Sequence, residues 1–170
     1  YAKRDFDQKD SLKAYLIGFR LGDLTVYPVS HGIHSRVIQV QCLTTQLAQI
    51  ELFRSLFETY GHLHQSPPDR QGAYYLTCYL NRSFDFLLPK ADAVESWIKN
   101  NFECSIAFAA GYIDAEGSFH IVKKPSTGLC SSRFAVASQD KTILFWMHEL
   151  FCSLGITAAP PKLACAAGTP

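Results

Sequence analysis

The sequence predicts an α+β protein built from two copies of one unit, of which the second copy is incomplete. Two observations support this fold class. The hydrophobic spacing switches between the helical period and the two-residue alternation of strands, and the same order of segments occurs twice. A shift of 93 positions superposes Gly18 on Gly111 and Asp23 on Glu116. A repeat of this length indicates a duplicated architecture.

The repeat continues beyond these glycines and acids. Gly61 recurs as Gly155 after 94 positions, and Pro67-Pro68 recurs as Pro160-Pro161 after 93. The first copy then continues into a strand-like segment, whereas the second stops at Pro170, before its matching strand would start.

We therefore expect three parts along the chain. Residues 1–90 would form the first half, residues 91–103 a polar linker, and residues 104–170 a truncated second half.

Composition limits the classes of protein to consider. With 170 residues, 48% of them hydrophobic and 18% charged, the chain is expected to be globular. It contains no run of about 18 apolar residues and no signal-peptide pattern, so we expect no membrane partner and an intracellular location, cytoplasmic, nucleoid or organellar. The net charge of +1 is weaker than that of many nucleic-acid binders, although clustered cations could still form a basic groove.

Each copy is predicted to begin with a buried helix. Residues 11–22 carry apolar side chains on too many sides for a surface helix, and Ser11 is a suitable N-cap. Glycine inside a helix costs about 1 kcal/mol relative to alanine. Because Gly18 and Gly111 occupy equivalent positions, we expect the two helices to pack closely against each other.

Period-two segments follow each acid and predict a hairpin in each copy. Residues 25–29 and 35–41 form the first, and residues 118–124 and 133–138 the second. Helices are then expected near 45–60 and 141–154, where apolar residues recur at helical spacing. A strand over 74–80 and a helix-like segment over 83–88 complete the first copy.

The motif positions read Leu-Ile-Gly-Phe-Arg-Leu-Gly-Asp over 16–23 and Ala-Ala-Gly-Tyr-Ile-Asp-Ala-Glu-Gly over 109–117. These segments, their spacing and the order of elements resemble the LAGLIDADG homing endonucleases of the single-chain, two-motif type. The resemblance covers nearly the whole chain, although Arg20, Leu21 and Leu24 depart from the usual first motif. It implies a pseudo-two-fold αββαββα fold with two antiparallel saddle sheets and paired central motif helices.

The resemblance also implies the catalytic groups. The last acids of the two motifs, Asp23 and Glu116, would meet above the DNA and share Mg²⁺ or Mn²⁺, with the backbone carbonyls of Gly22 and Ala115 as further ligands. Such metals activate water and stabilise a leaving alkoxide. Gln41 and Gln139, which precede the next helices, correspond to polar groups that orient active-site water.

The outer sheet faces would bind the DNA. If Phe119 and Ile121 point to the core, strand alternation turns Ser118, His120 and Lys124 outward. The full set of expected DNA contacts comprises Thr25, Tyr27, Arg36, Gln39, Arg70, Ser118, His120, Lys124 and Arg133.

The leading hypothesis is a monomeric, site-specific endonuclease that hydrolyses both strands of a long asymmetric DNA target, encoded in an intron or another mobile element. The alternative is a cleavage-inactive protein of the same fold, acting as an intron-splicing maturase on RNA or as a DNA-binding regulator. Carboxylates at helix C-termini are electrostatically disfavoured, so the two retained acids favour the enzyme. A third reading, an ordinary α/β fold with accidental repeats, requires unrelated coincidences at 93 and 94.

Overall fold

Two central helices, each followed by a β-hairpin, organise the computed structural model, which describes residues 3–31, 35–123 and 128–162. In chain order the elements are α1 Asp10–Gly22, β1 Thr25–His31, β2 Ser35–Thr44, α2 Leu47–Phe57, β3 His62–Gln65, β4 Tyr74–Leu80, a 3₁₀ helix Arg82–Leu87, α3 Ser96–Lys99, α4 Phe102–Glu116, β5 Gly117–Lys123, β6 Cys130–Val136 and α5 Lys141–Ser153. The α+β class with antiparallel sheets is confirmed. None of the helices in these ranges is long and apolar enough to cross a membrane.

The first half contains a four-stranded antiparallel sheet with the order β1-β2-β4-β3. Val26 pairs with Val40, so both side chains lie on the inner face of the sheet, where Phe53 and Phe57 of α2 complete the core. The sequence analysis did not predict β3. This strand has only four residues and two histidines, which is too short and polar to give a strand signal.

Helices α1 and α4 pack against each other through their glycines. A Cβ atom placed on Gly18 would lie 2.2 Å from the carbonyl oxygen of Phe108, and one placed on Gly111 would lie 2.1 Å from that of Tyr15. The Tyr15 hydroxyl also donates a 2.8 Å hydrogen bond across this interface to Asp114. The expected close pairing of the two helices is present.

The start of α1 differs from the sequence expectation. Ser11 was expected to be the N-cap, but the helix begins at Asp10 and its N-cap is Lys9, which makes no side-chain capping hydrogen bond. Asp10 instead places a negative charge in the first turn, where the helix dipole favours it.

The sheet of the second half has only two described strands, and the face that carries Phe119 and Ile121 is exposed. Helix α5 packs on α4 through Ile143 and Met147, and β5 pairs only with β6 among the described residues. The expectation that Phe119 and Ile121 point into a core is wrong, because these side chains are 80% and 81% exposed. The equivalent position in the first half, Val26, instead lies in a buried core that also contains Phe53 and Phe57 of α2.

The linker residue Asp92 attaches the linker to the second half by capping the start of α5. Its carboxylate accepts hydrogen bonds from the backbone amides of Thr142 at 2.9 Å and Ile143 at 3.0 Å. Burial opposes ionisation, but these hydrogen bonds outweigh it and lower the pKa of Asp92. The linker expected over 91–103 also contains α3 and the first residues of α4.

The helix contact generates a first prediction. Gly18→Ala or Gly111→Ala is expected to lower the free energy of unfolding by about 3 kcal/mol, because the new methyl group overlaps a backbone carbonyl and forces the helices apart. Chemical denaturation measures this, with Ala110→Ser on an exposed position of α4 as the control, expected to change stability by less than about 0.5 kcal/mol. A gain of about 1 kcal/mol, the usual effect of alanine on a helix, would show that the helices do not touch here.

The uncovered hairpin face generates a second prediction. Phe119→Thr is expected to change the free energy of unfolding by less than about 0.5 kcal/mol, since an exposed side chain loses little burial. The matched variant Val26→Thr buries a hydroxyl group at the equivalent position, which is 8% exposed, and is expected to cost about 1–3 kcal/mol. Equal losses in the two variants would mean that Phe119 is covered in solution.

Candidate active site at the paired helix ends

The contact between α1 and α4 continues to their C-terminal ends and brings the two motif acids together. A Cβ atom on Gly22 would lie 2.5 Å from the Ala115 Cβ and 2.9 Å from the Glu116 Cγ. Asp23 follows as the C-cap of α1, and Glu116 is the last residue of α4. Both carboxylates therefore lie where the helix dipoles disfavour negative charge.

The surroundings of the two acids shift their pKa values. Burial raises the pKa of Asp23, and a hydrogen bond from Gln49 partly opposes this shift. Burial also raises the pKa of Glu116, with further contributions from the charges of Asp23 and Asp140, while Lys90 opposes the shift. The site thus concentrates negative charge without a neutralising ion pair to either acid among the described residues.

A cleft of about 250 Å³ opens beside Asp23. Its walls combine the helix ends with the start of α2, and its lining residues are Asp23, Gln46, Ala48, Gln49, Asp114, Ala115 and Gly117. The Gln49 side-chain amide donates a hydrogen bond to Asp23 Oδ2. Sequence reasoning missed Gln46 and Gln49, although their spacing of three residues at the start of a helix places them on one side of it.

The surroundings of Glu116 differ from those of Asp23. Asp140, the N-cap residue of α5, accepts a 3.0 Å hydrogen bond from the Tyr112 hydroxyl. At the position of Tyr112 the first copy has Phe19, which lacks a hydroxyl group. The two halves therefore hold their acids in chemically different environments.

Neither of the glutamines expected to orient water lines this cleft. Gln41 lies in β2, paired with Thr25 and Thr77 on the outer sheet face, and is half-buried. Gln139 is exposed just before α5. Their catalytic roles stay predictions, while the structure places the Gln49 amide on Asp23.

The outer face of the four-stranded sheet gathers several expected DNA contacts. Tyr27 pairs with Gln39, which pairs in turn with Tyr79, so the three side chains lie in one row across the sheet. Thr25 lies on the same face and is exposed. The strand register adds residues that the sequence analysis did not name, namely His62, His64, Tyr75, Thr77 and Tyr79. Alternation within residues 74–80 was the available signal for the last three.

Three further residues that were expected to contact DNA differ in their position and exposure. Arg36 shares the register parity of Ile38 and Val40, so it lies on the inner side of the sheet and not with Tyr27; it is exposed near the hairpin end. Gln39 is only 8% exposed between its cross-strand neighbours. Arg70 is exposed in the loop between β3 and β4.

The expected contacts of the second half share one face of the β5–β6 hairpin. His120 pairs with Arg133, and Ser118 has the same register parity. The His120 ring nitrogen Nε2 lies 3.1 Å from the Ser118 hydroxyl. Lys124 lies outside the described residues. Three polar side chains are thus side by side, at positions equivalent to Thr25, Tyr27 and Gln39 of the first half.

The donor set fits a hard divalent cation. The described residues contain no group of three His, Cys, Asp or Glu side chains arranged for a metal ion. A cation at the helix ends would therefore have only two carboxylates, those of Asp23 and Glu116, and would complete its shell with carbonyl oxygens and water. The carbonyls of Gly22 and Ala115 belong to the same helix ends. Oxygen ligands of this kind suit Mg²⁺, which keeps several waters. A cation between the acids would offset both the burial and the repulsion from Asp23 that raise the pKa of Glu116.

Solved structures provide a comparison for this fold. The structure is similar to that of I-DmoI in complex with DNA and Ca, with a TM-score of 0.53 and 16% identity, covering 86% of this chain and 73% of that chain. It is also similar to the LAGLIDADG homing endonuclease I-GzeII in complex with its DNA target, with a TM-score of 0.48, 11% identity and coverage of 82% and 71%. The homing endonuclease I-WcaI bound to its DNA recognition sequence has a TM-score of 0.44 and 16% identity, with coverage of 65% of this chain and 52% of that chain.

No protein-family model matches the chain, and no match was found among curated proteins. The likeness is therefore one of structure at low sequence identity. At the level of the fold, this chain with its two paired helices and its antiparallel strands shares the α+β architecture of I-DmoI.

Proposed function

We propose that this chain is a metal-dependent endonuclease that cuts both strands of double-stranded DNA at a long asymmetric site. The observation that carries the proposal is the pair of acids at the touching ends of α1 and α4. Burial raises the pKa of both carboxyl groups, so the arrangement opposes their ionisation. Neither a folding core nor a binding surface requires two such acids side by side.

Phosphodiester hydrolysis requires an activated water molecule and a stabilised leaving oxygen. Bound Mg²⁺ or Mn²⁺ would supply both by lowering the pKa of water and by accepting negative charge. The carboxylates of Asp23 and Glu116 would hold the metal, with the carbonyls of Gly22 and Ala115 beside them. The solved structure of I-DmoI with DNA and Ca supports a divalent cation in this fold.

The outer sheet faces are the proposed DNA surface. In the first half, Thr25, Tyr27 and Tyr79 offer hydroxyl and aromatic groups beside the buried Gln39, whereas the second half offers Ser118, His120 and Arg133. Hydrogen-bonding side chains read base edges, and cations such as Arg70 and Arg133 position the backbone. Because the two faces carry different residues, the target they select is asymmetric.

A single chain supplies both acids, which supports action as a monomer. Cutting at one long site also suits a protein encoded by an intron or another mobile element. The unusual Arg20 in the first motif does not argue against activity, because its buried guanidinium donates hydrogen bonds to the carbonyls of Leu87 and Leu24 and thereby braces α1. This departure from the motif has a structural role.

The proposal predicts that both acids are essential. Asp23→Asn and Glu116→Gln are each expected to reduce the rate of Mg²⁺-dependent cleavage by at least about 100-fold, since metal-mediated charge stabilisation is worth several kcal/mol. The substrate is a randomised double-stranded DNA library, with cut molecules sequenced to identify the site. Glu51→Gln, on an exposed position of α2, is the control and keeps full activity.

Binding to the selected DNA is measured in parallel for every variant. Retained binding with lost cleavage supports the assignment of both acids. Selective binding without cleavage by the unmodified chain would contradict the enzyme and identify a regulator or, with intron RNA as the ligand, a maturase.

The raised pKa of Glu116 predicts a cost in stability. A carboxyl group whose pKa is higher in the folded than in the unfolded chain stabilises the fold when protonated, and this contribution is lost as the pH rises through the folded-state pKa. Glu116→Gln is therefore expected to raise the unfolding temperature at pH 7 but not at pH 3. Thermal scans test this, with Glu51→Gln as the control.

Metal ions provide the complementary measurement. Because a ligand that binds only the folded state stabilises it, added Mn²⁺ is expected to raise the unfolding temperature of the unmodified chain more than that of Glu116→Gln.

In the thermal scans without metal, an unfolding temperature of Glu116→Gln below that of the unmodified chain at pH 7 would mean that Glu116 supports the fold.

A further inference from the structure

Gln49 is the only described side chain for which the structure shows a hydrogen bond to either motif acid. Its amide nitrogen donates to Asp23 Oδ2, and its side chain is half-buried in the wall of the cleft. Helix α2 holds Gln49 firmly, since the following residue Ile50 is 5% exposed and Phe53 is fully buried in the core. Packing of α2 on the sheet thus fixes the position from which the Gln49 side chain reaches Asp23.

The chemistry of this contact suits a group that orients a metal ligand. An ionised carboxylate has about four acceptor positions on its two oxygens, so a single hydrogen bond to Oδ2 leaves Oδ1 free. A neutral amide also leaves the negative charge of Asp23 in place, which a lysine or arginine at this position would offset. The carboxylate is therefore oriented while its attraction for a cation is kept.

Within residues 104–123 and 128–162 of the second half, the structure shows no equivalent contact to Glu116. A shift of 93 places Thr142 at the position of Gln49, and a shift of 94 places Ile143 there. The backbone amides of both residues donate to Asp92, and the side chain of Ile143 is fully buried. Neither residue has a side-chain amide to offer Glu116.

We propose that Gln49 is a positioning residue that orients the Asp23 carboxylate for a divalent cation, and that it does so in only one half of the pseudo-symmetric site. This inference rests on the proposed function but concerns a residue that the motif pattern does not contain. Residues that hydrogen-bond to metal ligands typically contribute 10- to 100-fold to metal affinity or activity.

The first test measures metal binding without DNA. Gln49→Met removes the donor at nearly constant size, and Gln71→Met, in the exposed loop before β4, is the matched control. The affinity for Mn²⁺ is followed through the paramagnetic broadening of carboxyl ¹³C resonances, assigned with Asp23→Asn and Glu116→Gln. Gln49→Met is expected to weaken Mn²⁺ binding about 10-fold, and Gln71→Met to leave it unchanged. Affinity within two-fold of the unmodified value in a folded Gln49→Met protein would overturn the proposal.

The second test uses the two strands of the DNA target. Asp23 and Glu116 belong to different copies of the repeat, so in the proposed nuclease each would lie closer to one of the two scissile bonds. Loss of Gln49 is therefore expected to slow the two strands unequally and to accumulate nicked DNA at unchanged DNA affinity. A general structural defect would slow both strands alike, and equal slowing would overturn the one-sided role.

A third measurement keeps Gln49 itself and does not depend on how its variant folds. The side-chain amide resonances of Gln49 are compared between the unmodified chain and Asp23→Asn. A shift of these resonances supports the contact, and their insensitivity to Asp23→Asn would overturn it. Absence of DNA cleavage by the unmodified chain, with Mn²⁺ binding still weakened in Gln49→Met, would contradict the nuclease and leave the positioning role in place.

Discussion

The contact between α1 and α4 is the constraint on which the rest of the structure depends. Gly18 and Gly111 bring the two helix backbones so close that a single methyl group would overlap a carbonyl oxygen. This approach continues to Gly22 and Ala115 and thereby fixes where the helices end. Each helix end then determines the position of an acid and the start of a hairpin. The contact between α1 and α4 thus determines both the geometry of the candidate site and the placement of the sheets.

The acids are retained at a cost to the fold. Glu116 lies at the C-terminus of a helix, partly buried, with Asp23 and Asp140 close enough to raise its pKa. Any one of these effects disfavours a charged carboxylate, and no described salt bridge compensates for them. Proteins concentrate such unfavourable groups at functional sites, where a ligand relieves the strain. A divalent cation is the simplest ligand that would do so, which is why electrostatics and fold similarity support the same proposal.

The sequence predicted most of the fold and the helix pairing that brings Asp23 and Glu116 together, because both follow from a repeat visible in the residues themselves. It did not predict β3, since four polar-rich residues give no periodic signal and the strand exists only through pairing with β4. It placed Phe119 and Ile121 in a core because alternation reveals which residues share a face, but not whether another element covers that face. It also missed Gln49, whose contact with Asp23 depends on how α2 docks on the sheet.

The two copies differ in burial and in hydrogen bonding at positions that the repeat makes equivalent. Val26 and Phe119 occupy equivalent positions, yet the first is buried in a core to which α2 contributes and the second is exposed. Asp23 receives an amide hydrogen bond, while Glu116 lies near Asp140 and Lys90. A site with identical halves would treat both strands of a DNA duplex alike and would suit a palindromic target. These halves differ in the groups that surround each acid and in the residues on each outer face. For the proposed endonuclease, asymmetry in both recognition and strand cleavage would therefore follow from the same divergence of the two copies.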